Sequence, residues 1–417
     1  MTLPLAFYRG VTGLLEPLAP CLLARRAERG KEDVARIAER LGKASTERPY
    51  GSLVWLHGVS IGESLSLMPL VSALRAARPD LGLLVTSGTR TSADLLAGRL
   101  PEGVIHQYVP VDAPQAVARF LDYWRPSLGI LVESELWPNL ILGARLRGVK
   151  LALVSARMTE ASARGWSRVA AAAKTLLEAF DLILPQDAQT RERLADLGAK
   201  TEGTLNLKRV GEALSCDESA LTDLRAMLVG RDVILASNTH PREEAIITSA
   251  AAGLDPLIIL APRHPERGGA IAAELAGLGL KVARRSMGEA ILAETDVYLA
   301  DTLGEMGLFY RLADIAVMGG SFVEGIGGHN PLEPARLGVP VLTGPHVFNA
   351  AELYYEMFAC VAAIPAADGA TLTRHLKGLL ENPKIRRQMS DAGLAHAARQ
   401  GQALNTALAL LKPLLPA

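Results

Sequence analysis

Glu63 closes the run His57-Gly58-Val59-Ser60-Ile61-Gly62-Glu63, a glycine-bearing loop that follows an apolar stretch and leads into a helical pattern. A carboxylate in a first helical turn is held ionised by the helix dipole. At a strand end facing a cleft it is a candidate general base for activating a hydroxyl; its other reading is a helix cap. Val132-Glu133-Ser134-Glu135 puts two acids at the end of another apolar run, where burial demands a partner. That partner is either a substrate hydroxyl or a cation, and Arg157, after the next run, is one source of charge. Lys208, in Asn206-Leu207-Lys208, either reaches a leaving phosphate or is simply solvated.

The second half of the chain offers groups suited to anions. Arg263 and His264 follow an apolar run between prolines, and the planar guanidinium fork matches paired oxygens. Asp301-Thr302-Leu303-Gly304-Glu305-Met306-Gly307 opens a helix with glycines that let a ligand approach the backbone. The stretch GGSFVEGIGGHNPLEP, residues 319–334, runs from a strand through five glycines into a helix expected to start at Pro331. Loop N–H groups and the helix end invite a phosphate, with Asn330 at the N-cap position; Leu332 follows, and Glu333 is placed to accept the two hydroxyls of a ribose. A capped, glycine-rich turn with no ligand is the plain alternative. No HExxH, Walker lysine or DxD loop is present, so no metal is expected. A phosphate leaving group then falls to Arg263, Lys208 and helix ends.

Positioning these groups requires strands that end where the polar clusters begin. Apolar runs start at residues 53, 82, 104, 128, 150 and 181, and a second series at 232, 256, 280, 296, 314 and 339, with helical patterns between. Continuous apolar runs joined by helical crossovers read as parallel strands buried on both faces. The expected fold is α/β: two doubly wound, Rossmann-like domains, 45–208 and 209–417, facing a central cleft, the second closed by terminal helices at 370–382, 385–399 and 403–414.

Residues 1–44 read as a separate membrane-associating segment. Phe7, Tyr8, Val11, Leu14, Leu15, Leu18, Leu22 and Leu23 recur at helical spacing, with Arg25, Arg26, Arg29 and Lys31 directly after. Charge after the apolar run is the reverse of a secretory signal, and Arg9, Glu16, Pro17 and Pro20 interrupt a span. The segment either lies in the inner leaflet with its cations on anionic headgroups or packs on the protein's own surface. Elsewhere charge is balanced, 44 Lys plus Arg against 44 Asp plus Glu, so no global field draws nucleic acid. Cys21, Cys216 and Cys360 are scattered without CxxC spacing, which argues for a reducing compartment.

The ordered series RGKE (29–32), ERLG (39–42), HGVSIGE, VESELWPN, SARMTEASARGW, NLK, PRHPER, DTLGEMGLFY, GGHNPLEP and GPHVFN (344–349) resembles the Kdo transferases of lipopolysaccharide assembly. That family moves 3-deoxy-D-manno-octulosonic acid (Kdo) from CMP-Kdo to a lipid A precursor. The resemblance implies a GT-B glycosyltransferase without cofactor or metal, inverting at the anomeric carbon, at the cytoplasmic side of the inner membrane. It implies Glu63 as catalytic base, with Glu133 and Lys208 assisting the transition state. Arg263, His264, Gly304, Glu305, Met306, Asn330, Pro331, Leu332 and Glu333 would then hold CMP-Kdo. Departures fall on loop shape: Thr239-His240-Pro241-Arg242-Glu243-Glu244 and Glu324-Gly325-Ile326-Gly327-Gly328-His329 differ from the family's usual Thr-His-x-Gly-Glu-Glu and Pro-His-Gly-Gly-His. The alternatives are a GT-B transferase or epimerase using a UDP-sugar, and a membrane-bound nucleotide-sugar sensor without turnover.

Overall fold

The computed structural model of the protein describes residues 1–228 and 230–417. The chain divides into two units, Met1–Gly211 with Gly401–Ala417, and Glu212–Gln400. In the first, strands β1 (Leu53–His57), β2 (Gly82–Ser87), β3 (Val104–Tyr108), β4 (Leu128–Val132), β5 (Lys150–Ala156) and β6 (Leu182–Pro185) form one sheet in the order β3-β2-β1-β4-β5-β6. In the second, β7 (Val233–Thr239), β8 (Leu257–Pro262), β9 (Val282–Arg284), β10 (Val297–Leu299), β11 (Ile315–Met318), β12 (Val341–Thr343) and β13 (Ala363–Pro365) are ordered β13-β12-β11-β7-β8-β10-β9. Every ladder is parallel.

Alternation along β1 explains why its run is apolar throughout. Leu53 and Trp55 pack with Phe120 and Trp124 on one face, while Val54 and Leu56 pack with Leu67 and Leu70 on the other. With helices on both faces, every strand position is an inside position. β7 repeats this: Ile234 and Ala236 face one cluster, Val233 and Leu235 the other.

Winding direction reverses beside the first strand of each unit. β1 pairs with both β2 and β4, and β7 with both β8 and β11. Adjacent connections there leave for opposite faces, which opens a crevice at the carboxyl ends of the two strands. The loops after β1 and β4, and after β7 and β11, are therefore where each unit can bind something.

Four expectations change. Residues 363–365 add an edge strand, β13, unforeseen because Ala-Ile-Pro is too short to stand out as an apolar run. A single helix, Pro383–Leu411, replaces the two expected around Gly401, and residues 401–417 belong to the first unit and not to the 209–417 domain. The cause is burial: Ala407 and Leu411 enter the cluster under β1, and Lys150 and Arg78 donate to the Pro413 and Pro416 carbonyls.

Residues 1–44, expected as a separate segment, are also part of the first unit. In helix Leu3–Leu15, Leu5 enters the core, the Tyr8 hydroxyl donates to Asp112 (2.9 Å), and Thr12 Oγ1 accepts from Asn139 Nδ2 (3.0 Å). Glu16 accepts from Gln115 N (2.9 Å) and Ala116 N (2.7 Å), so it caps helix Pro114–Trp124, whose own preceding residue, Ala113, carries no capping oxygen. Leu3, Phe7, Leu14, Leu18 and Leu22 stay exposed. The segment thus packs on the protein and presents an apolar stripe at once. No helix among the described residues is long and apolar enough to cross a membrane.

Candidate active site

Glu63 sits in the first turn of helix Ile61–Ala77, which leaves the carboxyl end of β1. Ser60 is the N-cap: its hydroxyl accepts from Glu63 N (3.3 Å), while the Glu63 carboxylate accepts from Ser60 Oγ (2.8 Å) and Val59 N (2.7 Å). This is a variant of the capping box in which the carboxylate reaches the N–H of the residue before the cap. The half-buried carboxylate still has lone pairs to spare, since two bonds occupy about half of its roughly four acceptor positions. Capping fixes its direction without exhausting it as a base.

Across the switch point, Glu133 follows β4 with φ +58°, a left-handed conformation that costs a non-glycine residue about 1–3 kcal/mol. Hydrogen bonds to β5 hold it there, Glu133 N to Val154 O and Arg157 N to Glu133 O (3.2 Å). The buried Glu133 side chain pairs with Lys208 Nζ at 2.5 Å. Arg157 is therefore tied to Glu133 through its backbone, and Lys208 supplies the cation. Lys208 is positioned by its neighbours: Leu207 is fully buried and donates its N–H to Ser155 Oγ (3.2 Å), and Asn206 Oδ1 accepts from Lys208 N (3.2 Å).

Glu135, the second acid, contacts the Trp137 indole N–H and lies 3.8 Å from His57 Nε2. His57 is fully buried at the end of β1, its Nδ1 2.9 Å from Thr86 Oγ1. Sequence reasoning gave this histidine no role; a polar residue ending a buried strand was the available signal.

In the second unit the glycine loop after β11 overturns one expectation. Its first N–H groups are not open to a phosphate. Glu243, wholly buried at the start of helix Glu243–Ala251, accepts from Gly320 N (2.6 Å), Ser321 N (3.0 Å), Phe322 N (2.8 Å) and His240 N (2.9 Å). The protein's own carboxylate fills the concavity that the sequence offered to a ligand. Gly319 is required by closeness, because a Cβ there would lie 2.5 Å from Asn238 O.

Helix Leu332–Ala335 is a single turn that begins one residue after Pro331, so few peptide dipoles add up along it. Asn330 Oδ1 accepts from Leu332 N (3.1 Å), and Leu332 is anchored among Met318 and Val341. Glu333 is mostly withdrawn from water; burial raises its pKa, and the Arg336 and Arg263 charges only partly offset this.

Side chains therefore carry the positive charge. Arg263 N donates to Thr239 O (3.0 Å), which sets Arg263 at the end of β8 beside β7, and its exposed guanidinium acts on His240, His329 and Glu333. His264 has its ring 6.1 Å from His240 and Nδ1 3.3 Å from Glu266. Glu305 stands at the N-cap position of helix Met306–Leu312, where its side chain makes no capping bond and instead pairs with Arg285 (2.6 Å), which holds its carboxyl below the usual range. Gly304, at φ +83°, makes the turn before it. Residues 304–306 connect to the other candidates through Tyr310, whose hydroxyl meets Ser237 at the end of β7 (2.8 Å) and whose pKa burial and the Glu333 charge raise. Among the described residues no group of three His, Cys, Asp or Glu side chains is arranged to hold a metal ion.

Residues 35–210, which carry Glu63, Glu133 and Lys208, match the family model described as 3-deoxy-D-manno-octulosonic-acid transferase (kdotransferase). A 3-deoxy-D-manno-octulosonic acid transferase of Bordetella pertussis is 36% identical over 423 residues, covering 97% of this chain and 99% of that one. The Haemophilus influenzae enzyme of the same name is 32% identical, covering 98% of each. The chain belongs to the 3-deoxy-D-manno-octulosonic acid transferase family. It is thus a glycosyltransferase, and its two Rossmann-like parallel-sheet domains are of the GT-B class. A glycosyltransferase from Rickettsia africae shares the fold with a TM-score of 0.58 at 10% identity, covering 88% of this chain and 99% of that one.

Proposed function

We propose that this Kdo transferase family member moves Kdo from CMP-Kdo to the lipid A precursor lipid IVA, without a metal and with inversion, at the cytoplasmic face of the inner membrane. The observation that carries the reading is end-to-end similarity to transferases of that name, joined to an acid with spare acceptor capacity at the β1/β4 switch point. Glu63 takes the proton from a glucosamine hydroxyl as its oxygen bonds to the anomeric carbon of Kdo. The bond from that carbon to the phosphate oxygen breaks, and CMP leaves with the electron pair. Lys208, held by Glu133, and Arg263 oppose the negative charge that grows on the leaving phosphate. Glu333 accepts from the ribose hydroxyls, an arrangement its buried carboxylate favours because each donor lowers the cost of its charge.

The apolar stripe Leu3, Phe7, Leu14, Leu18 and Leu22, with exposed Arg25, Arg29 and Lys31 following, supports a protein that lies in the headgroup layer of an anionic membrane. The acceptor's acyl chains stay in the same layer. Incubation of the full chain with CMP-Kdo and lipid IVA, read by product mass, tests the assignment. A gain of Kdo on the lipid is expected; no product, together with titration heats for UDP and none for CMP, would move the protein to a UDP-sugar reaction. Flotation with anionic vesicles tests the membrane reading, and protein left unbound at low salt would remove it.

A further inference from the structure

The end of β7 and the loop after β11 bring two histidines into contact. His240 Nε2 and His329 Nε2 lie 3.0 Å apart. The ring planes differ by only 9° and the centroids are 5.2 Å apart, so the rings sit side by side with the hydrogen bond in both planes. Such a contact needs one N–H and one lone pair. In the neutral pair, one ring carries its proton on Nε2 and leaves Nδ1 bare, and the other carries its proton on Nδ1. One added proton, placed on the bare Nδ1, leaves the contact intact and gives each ring an Nδ1–H. A second added proton has to break it. The pair is built to hold either no charge or one.

Its surroundings keep it neutral when no ligand is bound. Burial is the first thing that disfavours a proton on His240, and the charges of His264, Arg267 and Arg263, which approach from the segment after β8, add to it. Glu243 favours one, but its carboxylate is engaged by the loop N–H groups. Burial first, then His240 and Arg263, push His329 down to about 4. The Tyr354 hydroxyl donates to His329 O (2.7 Å) and holds the backbone in place. An arriving dianion reverses this balance, because it offsets the cations and accepts charge-assisted hydrogen bonds.

We infer that His240 and His329 form a proton-loading receptor for the CMP phosphate: the pair takes up one proton when the nucleotide binds beside Arg263 and returns it when CMP departs. This rests on the proposed reading that the second unit binds a cytidine nucleotide. Taking the proton from solvent supplies a positive charge at the phosphate only while a phosphate is there.

Calorimetric titration of the full chain with CMP, in buffers of different ionisation enthalpy, tests it. At about pH 7.5 the nucleotide phosphate, with a second pKa near 6, is almost entirely dianionic, and its residual proton is released on binding with the opposite sign. The heat should vary with buffer ionisation enthalpy, with a slope of about one proton taken up per CMP. The loaded pair has the higher pKa, so affinity is full on the acid side and weakens by up to about tenfold per pH unit as pH rises through the loaded value. His240→Gln and His329→Gln should each reduce the uptake, and the double variant should abolish it and flatten the pH profile.

CMP binding without proton uptake by the unmodified protein overturns the inference and leaves the proposed function standing. Uptake that persists undiminished in the double variant puts the proton elsewhere and also overturns it. Absence of CMP binding in every buffer overturns both. Should the glutamine variants fail to fold, the slope of the unmodified protein decides alone.

Discussion

Glu63 and Glu243 occupy the same topological place in the two units, each in the first turn of the helix that follows the first strand of its sheet. Their situations are opposite. Glu63 is half-buried and accepts from one backbone N–H and one hydroxyl, whereas Glu243 is wholly buried and accepts from four backbone N–H groups. A carboxylate saturated by backbone donors has no lone pair left for a substrate proton, so it is a structural anion. One with unused acceptor capacity and a water-facing side can do chemistry. Position on the fold makes an acid a candidate; the number of donors around it decides what it does.

Removing each acid tests that contrast most directly. Glu63→Ala should lower Kdo transfer by about 10³-fold while CMP affinity holds; transfer near the unmodified rate would take Glu63 out of the mechanism. Glu243→Ala should instead destabilise the protein by roughly 3–5 kcal/mol in urea unfolding, because it strands buried N–H groups, and should weaken CMP binding. A Glu243→Ala protein with unchanged stability would erase the distinction between the two sites.

Smaller effects sharpen it. Lys208→Ala should cost about 10²-fold in turnover with little change in CMP affinity, measured by single-turnover kinetics. Glu333→Gln should weaken CMP about tenfold, near 1.4 kcal/mol, by titration. The same change should stabilise the empty protein at neutral pH. Burial raises the folded-state pKa of Glu333, so the native state binds the proton more tightly and its stability falls as pH rises from the unfolded value through the folded one. Glutamine removes that loss. Unfolding measured at acid and neutral pH checks the sign.

Much of this was legible in sequence because parallel strands buried on both faces write themselves as apolar runs, and ligand-binding residues follow where the runs stop. Glu133 and Lys208 were both visible, but their pairing depends on a register between β4, β5 and the 206–208 segment that no local pattern carries. Glu243 stood out only as part of the run Thr239 to Glu244 after a strand; its partners at 320–322 lie far along the chain and are reached only because β7 and β11 are adjacent. The His240 to His329 contact was hidden for the same reason. Residues 401–417 misled by composition, since an Ala- and Leu-rich helix shows that it needs a core without showing which one.

Helix Leu3–Leu15 has one consequence for anyone handling the protein. Trimming an oily leader is the usual route to a tractable fragment, but here the cut would strip the Asp112 hydroxyl donor, a cap from helix Pro114–Trp124 and a core leucine together. Greasiness and integrity share the same few residues, on opposite sides of one cylinder. Solubility has to be engineered by recolouring the outer side, Phe7 or Leu14 to serine for example, with the inner side left as it is.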